Sequence, residues 1–285
     1  MSAALPIVFS HANSFGAGTY RVLFQALQRR GFCTAAIDQF GHDPRYPVSS
    51  NWPYLVQQLI DFTTEQVHRI GTPVFLVGHS LGGYLSLMAA AQAPELACGV
   101  LLLDAPVVGG WRATALGVAK HTQLVRSVSP GAVSRRRRTH WSDATAALAH
   151  FQGKRAFASW DAQVLADYIT HGTADAQIDG QTRRVLRFTR EVETAIYNTL
   201  PHHLPALLRK NPLRCPVAYI GGLQSPEMKQ VGMALTQRVT QGRIMLLDGG
   251  HLFPMERPQV AAAAIEAALL GLHASTAVSA AAKKV

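Results

Sequence analysis

Acidic residues are scarce in this chain, with 17 Asp and Glu against 27 Lys and Arg in 285 residues and a formal net charge of +10. Cysteine is scarcer still, at three, and long apolar runs are missing. Each absence closes a class of protein. Cys33, Cys98 and Cys215 are odd in number and each sits near a predicted strand start. That excludes a disulfide scaffold and suits buried free thiols in a reducing compartment, so the expected location is cytoplasmic. No apolar stretch reaches the length of a membrane span, because Arg, Lys, Gln or His interrupts every run. Met1-Ser2-Ala3-Ala4 leads straight into a predicted strand, so no signal peptide is expected. A phosphate-cradling glycine loop is also lacking, since Gly249-Gly250 leads to His251 rather than to a helix carrying Lys. His202-His203 are adjacent and lack a third ligand, so no metal site is expected. Neither cofactor nor metal is anticipated, and there is no nucleic-acid motif and no internal repeat.

What the chain does contain is apolar: 48% of its residues are hydrophobic, enough for a globular core. The positive charge is uneven. Residues 107–212 hold 15 Lys and Arg against 7 Asp and Glu, leaving 12 against 10 elsewhere. The run Arg135-Arg136-Arg137-Arg138 belongs to this segment. Its plain reading is a solvated loop; a functional one is attraction of an anionic substrate to a nearby pocket.

One stretch organises the rest. Val74-Phe75-Leu76-Val77 reads as a strand buried on both faces. Gly78-His79-Ser80-Leu81-Gly82 fits G-x-S-x-G, and good helix formers follow to Ala93. A strand, a sharp turn with serine at its apex and a helix make a nucleophile elbow. Around it, strands are predicted at 5–10, 32–37, 98–103, 217–222 and 244–247. Helices are predicted at 19–30, 52–69 (capped by Asn51), 227–241 and 258–270. The alternation predicts a mostly parallel α/β sheet of about six strands flanked by helices, with ligands at the carboxyl ends of the strands. It stops between 107 and 212, a basic segment that looks helical and carries Trp111, Trp141, Phe151, Phe157, Trp160, Tyr168, Phe188 and Tyr197. The expected organisation is therefore core at 1–106, an inserted helical cap at 107–212, core again at 213–272 and a flexible tail at 273–285.

His11-Ala12-Asn13, Asp38-Gln39-Phe40-Gly41-His42, the elbow and Gly249-Gly250-His251-Leu252-Phe253-Pro254-Met255-Glu256 together resemble the α/β-hydrolase superfamily, over 5–106 and 217–270. The resemblance covers the cap by position only, and the usual N-terminal hairpin is absent. It implies a serine hydrolase acting on a small-molecule ester or related acyl compound. Ser80 is the expected nucleophile and needs an adjacent base. His251, after the last strand, is the best placed of the twelve histidines; His79 is expected to point the other way, and His11 to brace its own loop. The acid stays open between two positions. The turn after the next-to-last strand carries no Asp but does carry Glu227. Asp104, after the strand that follows the elbow helix, is the alternative favoured here, and Asp248 is too close in sequence to His251 to be preferred. A carboxylate at either strand end would fix the histidine tautomer. The oxyanion hole is expected from the backbone amides of Leu81 and of Asn13 or Ala12. Two other readings remain: a thioester or carbon–carbon-bond hydrolase for an anionic substrate, and a non-catalytic binding protein on this fold. Oligomeric state is not legible.

Overall fold

The computed structural model describes residues 5–109 and 134–282. The first half runs β1 (Leu5–Ser10), a 3-10 turn over Ala17–Tyr20, α1 (Arg21–Gln28), β2 (Phe32–Ala36), α2 (Pro53–Ile70), β3 (Val74–His79), α3 (Leu81–Gln92) and β4 (Ala97–Leu103). After the segment that interrupts the alternation come β8 (Val217–Gly222), β9 (Ile244–Leu247) and four helices, described below. Six strands form one sheet in the order β2-β1-β3-β4-β8-β9, every neighbouring pair parallel. The chain reverses its direction of travel across the sheet between β1 and β3, and this is where an open α/β sheet leaves a crevice at its carboxyl edge.

The sheet needs no alternation because both faces are covered. β3 is buried along its whole length. One apolar cluster joins Ile7, Phe9, Val77 and Leu101 to α1 and the last helix, and the other joins Val8, Leu76, Val100 and Leu102 to α2 and α3. In α3 ten of the twelve residues are buried, so its sequence is apolar all round and shows no helical stripe.

The interrupting segment departs from expectation. It contains β5 (His140–Trp141), α4 (Ala144–Gln152), α5 (Ala162–Gly172), β6 (Thr173–Ile178), β7 (Gln181–Leu186), α6 (Arg190–Asn198) and α7 (Leu204–Lys210). A purely helical insertion is thus corrected: the three strands form an antiparallel sheet in the order β5-β7-β6. The hairpin turns at Asp179-Gly180, both at positive φ (50° and 74°), the geometry that Asp-Gly favours in a tight hairpin. Trp111, expected among the cap aromatics, lies outside the described residues.

The chain then returns to the main sheet through β8 (Val217–Gly222), α8 (Pro226–Val231), α9 (Ala234–Thr240), β9 (Ile244–Leu247), α10 (Phe253–Glu256) and α11 (Pro258–Ala282). The helix expected over 227–241 is broken in two by Gly232, at φ 78°, and the last helix continues past Leu270 to Ala282. Asn51 does not cap α2. Its Oδ1 accepts from the His202 amide at 3.1 Å, and α2 begins at Pro53 behind two left-handed residues, Asn51 and Trp52. Among the described residues, no helix is long and apolar enough to cross a membrane.

Two glycines separate conformational strain from steric exclusion. A β-carbon at Gly180 meets nothing within 4 Å, whereas one at Gly78 would stand 2.1 Å from the Gly82 carbonyl oxygen. Gly180→Ala is expected to cost about 1 kcal/mol through its positive φ alone. Gly78→Ala should cost at least ~3 kcal/mol or prevent folding. Urea unfolding of both variants checks the ranking, and equal losses would contradict it.

Candidate active site

The elbow is held by close backbone approach. A β-carbon on Gly82 would lie 2.0 Å from the Ser10 carbonyl oxygen, so α3 seats directly against the ends of β1 and β3. Ser80 sits between strand and helix at φ 53°, ψ −113°, a strained conformation for a residue with a side chain. Its amide donates to the Leu103 carbonyl at 3.0 Å, and its carbonyl accepts from Gly83.

Ser80 Oγ lies 3.0 Å from His251 Nε2, and His251 Nδ1 lies 2.6 Å from Asp104 Oδ2. The three residues come from the ends of β3, β9 and β4. A carboxylate accepts only, so Nδ1 carries the proton donated to Asp104, and Nε2 is left to accept from the Ser80 hydroxyl. The histidine turn is built on Gly249 (φ 150°) and Gly250, whose amide donates to Glu256 Oε2 at 3.0 Å. Gln224 clasps that turn from the β8 side: its side-chain oxygen accepts from the Gly249 amide, and its own amide donates to the Gly249 carbonyl.

Asp104 is almost wholly buried and itself at positive φ (43°). Besides His251, it accepts from the Gly222 amide at 2.9 Å, the Ser225 hydroxyl at 2.5 Å and, more weakly, the Tyr219 hydroxyl at 3.4 Å. Burial alone would raise its pKa, but the bonds from His251, Ser225 and Gly222 outweigh it and hold the carboxyl below its ordinary range. His251 moves the other way. Burial pushes it down, while the Asp104 hydrogen bond and the charges of Glu227, Asp104 and Glu256 leave it above the ordinary imidazole value. Glu227 Oε2 stands 3.6 Å from Nδ1, beyond hydrogen-bonding distance. Asp248 is elsewhere, paired with Arg257 at 2.6 Å and bonded by Gln224. Among the described residues, Asp104, Glu227 and His251 are the trio whose donor atoms converge within 4.8 Å. Within it His251 bonds Asp104 directly, and Ser225 stands between Asp104 and Glu227.

Leu81 opens α3, where the first-turn amides have no partner within the helix. Of the two loop candidates, the Ala12 amide is taken: it donates to the Tyr20 hydroxyl at 3.0 Å, which leaves Asn13. The Asn13 side chain donates to the Glu193 carbonyl at 3.1 Å and so ties this loop to α6. His11 braces the loop, its Nδ1 donating to the Ala12 carbonyl and its Nε2 accepting from the Phe40 amide. His79 points away from the serine hydroxyl and bonds the Tyr20 hydroxyl and the His251 carbonyl, both at 2.8 Å.

Several partners escaped the sequence reading. Ser225 was not singled out from the sequence; that it bonds Asp104 required the fold. Arg137 leaves the solvated run and turns inward to Glu193 at 2.9 Å and to the Tyr168 hydroxyl. Tyr168, Trp160 and Phe157 gather around Phe15 of the loop after β1, with ring centroids 5.6, 5.3 and 6.4 Å from it. A separate cavity of about 650 Å³ between α7 and α9, lined by Leu208, Leu213, Leu235 and Arg238, includes none of Ser80, Asp104 or His251.

An α/β sheet carrying an elbow serine beside a histidine–carboxylate pair defines the class, and the comparisons agree. The model of the alpha/beta hydrolase family matches residues 7–264, and the chain belongs to that family. The monoglyceride lipase of Rattus norvegicus is 35% identical over 102 residues, and that of Homo sapiens 31% over 102; the matched stretch is 34% of this chain and 34% of either relative. Solved structures with the same fold include an E-2-(acetamidomethylene)succinate hydrolase (TM-score 0.65, 22% identity, 94% of this chain and 92% of that one). The thioesterase domain from the curacin biosynthetic pathway aligns at TM-score 0.64 and 17% identity, over 92% and 90%. Epoxide hydrolase A from Mycobacterium thermoresistibile aligns at 0.61 and 20%, over 95% and 93%.

His11 and His79 titrate unlike His251. Burial, the largest influence on each, lowers them to about 4 and about 3. A histidine whose folded pKa is depressed contributes stability in full above its unfolded value of 6.5, and that stability is lost progressively as the pH falls from there towards the folded value. The urea midpoint should therefore drop between about pH 7 and pH 5, with up to ~1.4 kcal/mol per pH unit from each histidine. A midpoint constant over that range would contradict the neutral, buried state of both rings.

Proposed function

We propose that this protein is a serine hydrolase that cleaves a small or medium ester, or a related acyl compound, through an acyl-enzyme intermediate. The observation that carries the reading is the unbroken chain from Ser80 Oγ through His251 to Asp104, at 3.0 and 2.6 Å. In this scheme Ser80 attacks the acyl carbon as its proton passes to His251 Nε2. The Leu81 and Asn13 amides receive the developing oxyanion. His251 then protonates the leaving alcohol and next activates water against the acyl-enzyme. Asp104 is the acid because it sits in direct hydrogen-bonding contact with Nδ1, a full ångström closer than Glu227. Residues 107–212 act as the cap over the core formed by 1–106 and 213–272, and the aromatic group of Phe15, Phe157, Trp160 and Tyr168 makes the acyl or alcohol pocket apolar. No cofactor enters the scheme.

The basic composition of 107–212 favours a second reading, in which the same residues act on a thioester or an anionic substrate. Its mark would be a steep loss of substrate affinity with added salt. A non-catalytic binding protein is the remaining possibility; it predicts that folded protein resists a fluorophosphonate probe at Ser80, whereas the hydrolase is labelled.

Ser80→Ala is expected to lower turnover of an accepted ester by about a million-fold, and Asp104→Asn by about ten-thousand-fold. Glu227→Gln should cost less than about tenfold. Steady-state kinetics on p-nitrophenyl esters check this order; a larger loss at Glu227 than at Asp104 would reverse the acid assignment. Because His251 must be neutral to accept the serine proton and its pKa is raised, the acid limb of kcat/KM should lie above the ordinary imidazole value.

A further inference from the structure

The acid side of His251 holds more than one carboxylate. Nδ1 faces Asp104 Oδ2 at 2.6 Å and Glu227 Oε2 at 3.6 Å. Ser225 Oγ stands 2.5 Å from that same Asp104 oxygen and 2.7 Å from that same Glu227 oxygen. Ser225 has one hydroxyl proton and so donates to one of these oxygens at a time. Its oxygen nonetheless sits between the two acid groups and sets their separation, so Glu227 is not a free surface side chain. Its backbone is fixed too, because Ser225 caps α8 by accepting from the Glu227 amide. The charges around the imidazole come from every element packed on it. Asp104 stands at the end of β4, Glu227 at the start of α8 and Glu256 in α10. His79, at the end of β3, presents a neutral ring 5.3 Å away. Among the described residues no Lys or Arg is ion-paired with Asp104 or Glu227, whose ion-pair partner there is His251.

We propose that Glu227 is a second positioning carboxylate, which works beside Asp104 across the Ser225 bridge to stabilise the protonated His251 formed as Ser80 attacks; this deepens the serine-hydrolase reading and rests on it. In that step the Ser80 O–H bond breaks and Nε2–H forms, while Oγ bonds the acyl carbon and the carbonyl π pair moves to its oxygen. This leaves a negative charge on the oxyanion and a full positive charge on a ring that was neutral. Asp104 meets that charge through a direct hydrogen bond, which also fixes the tautomer. Glu227 is too distant to choose the tautomer and contributes charge alone, so the two carboxylates divide the work. The same arrangement has a cost at low pH: a more basic His251 is protonated, and idle, over a wider acid range. The raised titration of His251, to which Glu227 is among the contributors, agrees with this.

The test separates this inference from the activity it rests on. In Ser80→Ala protein of retained fold, the His251 ring is titrated by NMR with Glu227 present and with Glu227→Gln. The midpoint is expected to fall in the Gln variant and to stay nearer the parent in Glu227→Asp, which keeps the charge. In protein with Ser80 intact and p-nitrophenyl acetate as probe, Glu227→Gln should lose about fivefold on the alkaline plateau, the scale of a partly exposed ion pair. Its acid limb should move down, so that the two profiles converge towards acid pH. An unmoved His251 midpoint in Glu227→Gln overturns the proposal, and a plateau loss without that movement assigns Glu227 to structure and overturns it as well. Absence of turnover in the parent would refute the hydrolase reading instead, while the titration would still decide the role of Glu227.

Discussion

Everything at the carboxyl edge depends on how closely two pieces of backbone approach. Helix α3 begins where β1 and β3 end, with Gly82 against Ser10 and Gly78 against Gly82, and neither position has room for a β-carbon. Side chains there would push the helix outward by roughly the thickness of a methyl group. Ser80 rides on that junction, and its hydroxyl is only 3.0 Å from Nε2. An outward shift of that size would break the contact without touching any residue that makes it. The strain at Ser80 is held by burial of α3 on all sides, which leaves the helix no exposed direction in which to relax.

The register of the sheet explains why the acid was hard to assign from sequence. β4 and β8 are neighbours, with Leu103 opposite Ile220, and Asp104 donates its amide to the Ile220 carbonyl at 2.7 Å. The residues that follow these two strands therefore emerge side by side, and a carboxylate from either can approach the same ring nitrogen. Here β4 supplies the near carboxylate. The turn after β8 supplies what a buried carboxylate requires instead: the Gly222 amide and the Ser225 hydroxyl as donors. A turn that lacks an Asp thus serves the site by supporting the Asp of its neighbour.

The legible parts of this chain were those fixed by local chemistry. Continuous apolar runs such as 74–77 mark strands covered on both faces, and the glycine spacing around Ser80 marks a turn that only such residues permit. Six strands and the meeting of Ser80 with His251 followed from those signals. The hairpin of β6 and β7 was also signalled, by Asp179-Gly180 between alternating segments, but the surrounding helix formers and aromatic residues obscured it. Arg137 was not legible at all. Four consecutive arginines are locally equivalent, and only the tertiary position of Glu193, fifty-six residues on, singles out the one that turns inward. The left-handed pair Asn51-Trp52 belongs to the same class, whereas the break at Gly232 has a local signal, because glycine is a poor helix former and readily takes its φ of 78°.

A second chain of hydrogen bonds runs beneath the first, and its proton positions can be counted. The His251 carbonyl can only accept, so His79 Nε2 carries a hydrogen towards it. The His79 ring is neutral, so its Nδ1 must accept, and the Tyr20 hydroxyl donates to it. Tyr20 then has lone pairs left, and one of them takes the Ala12 amide. Each donor and acceptor in this buried line has one partner and one allowed direction. The line joins the loop after β1, which carries Asn13, to the main chain of His251, passing under the serine that lies between them. Protonation of His79 would put a donor where Tyr20 now donates and would leave the Tyr20 hydroxyl proton without its acceptor, while the bonds at the two ends kept their direction. Burial lowers the pKa of that ring, so it stays neutral and the line stays intact across the ordinary pH range.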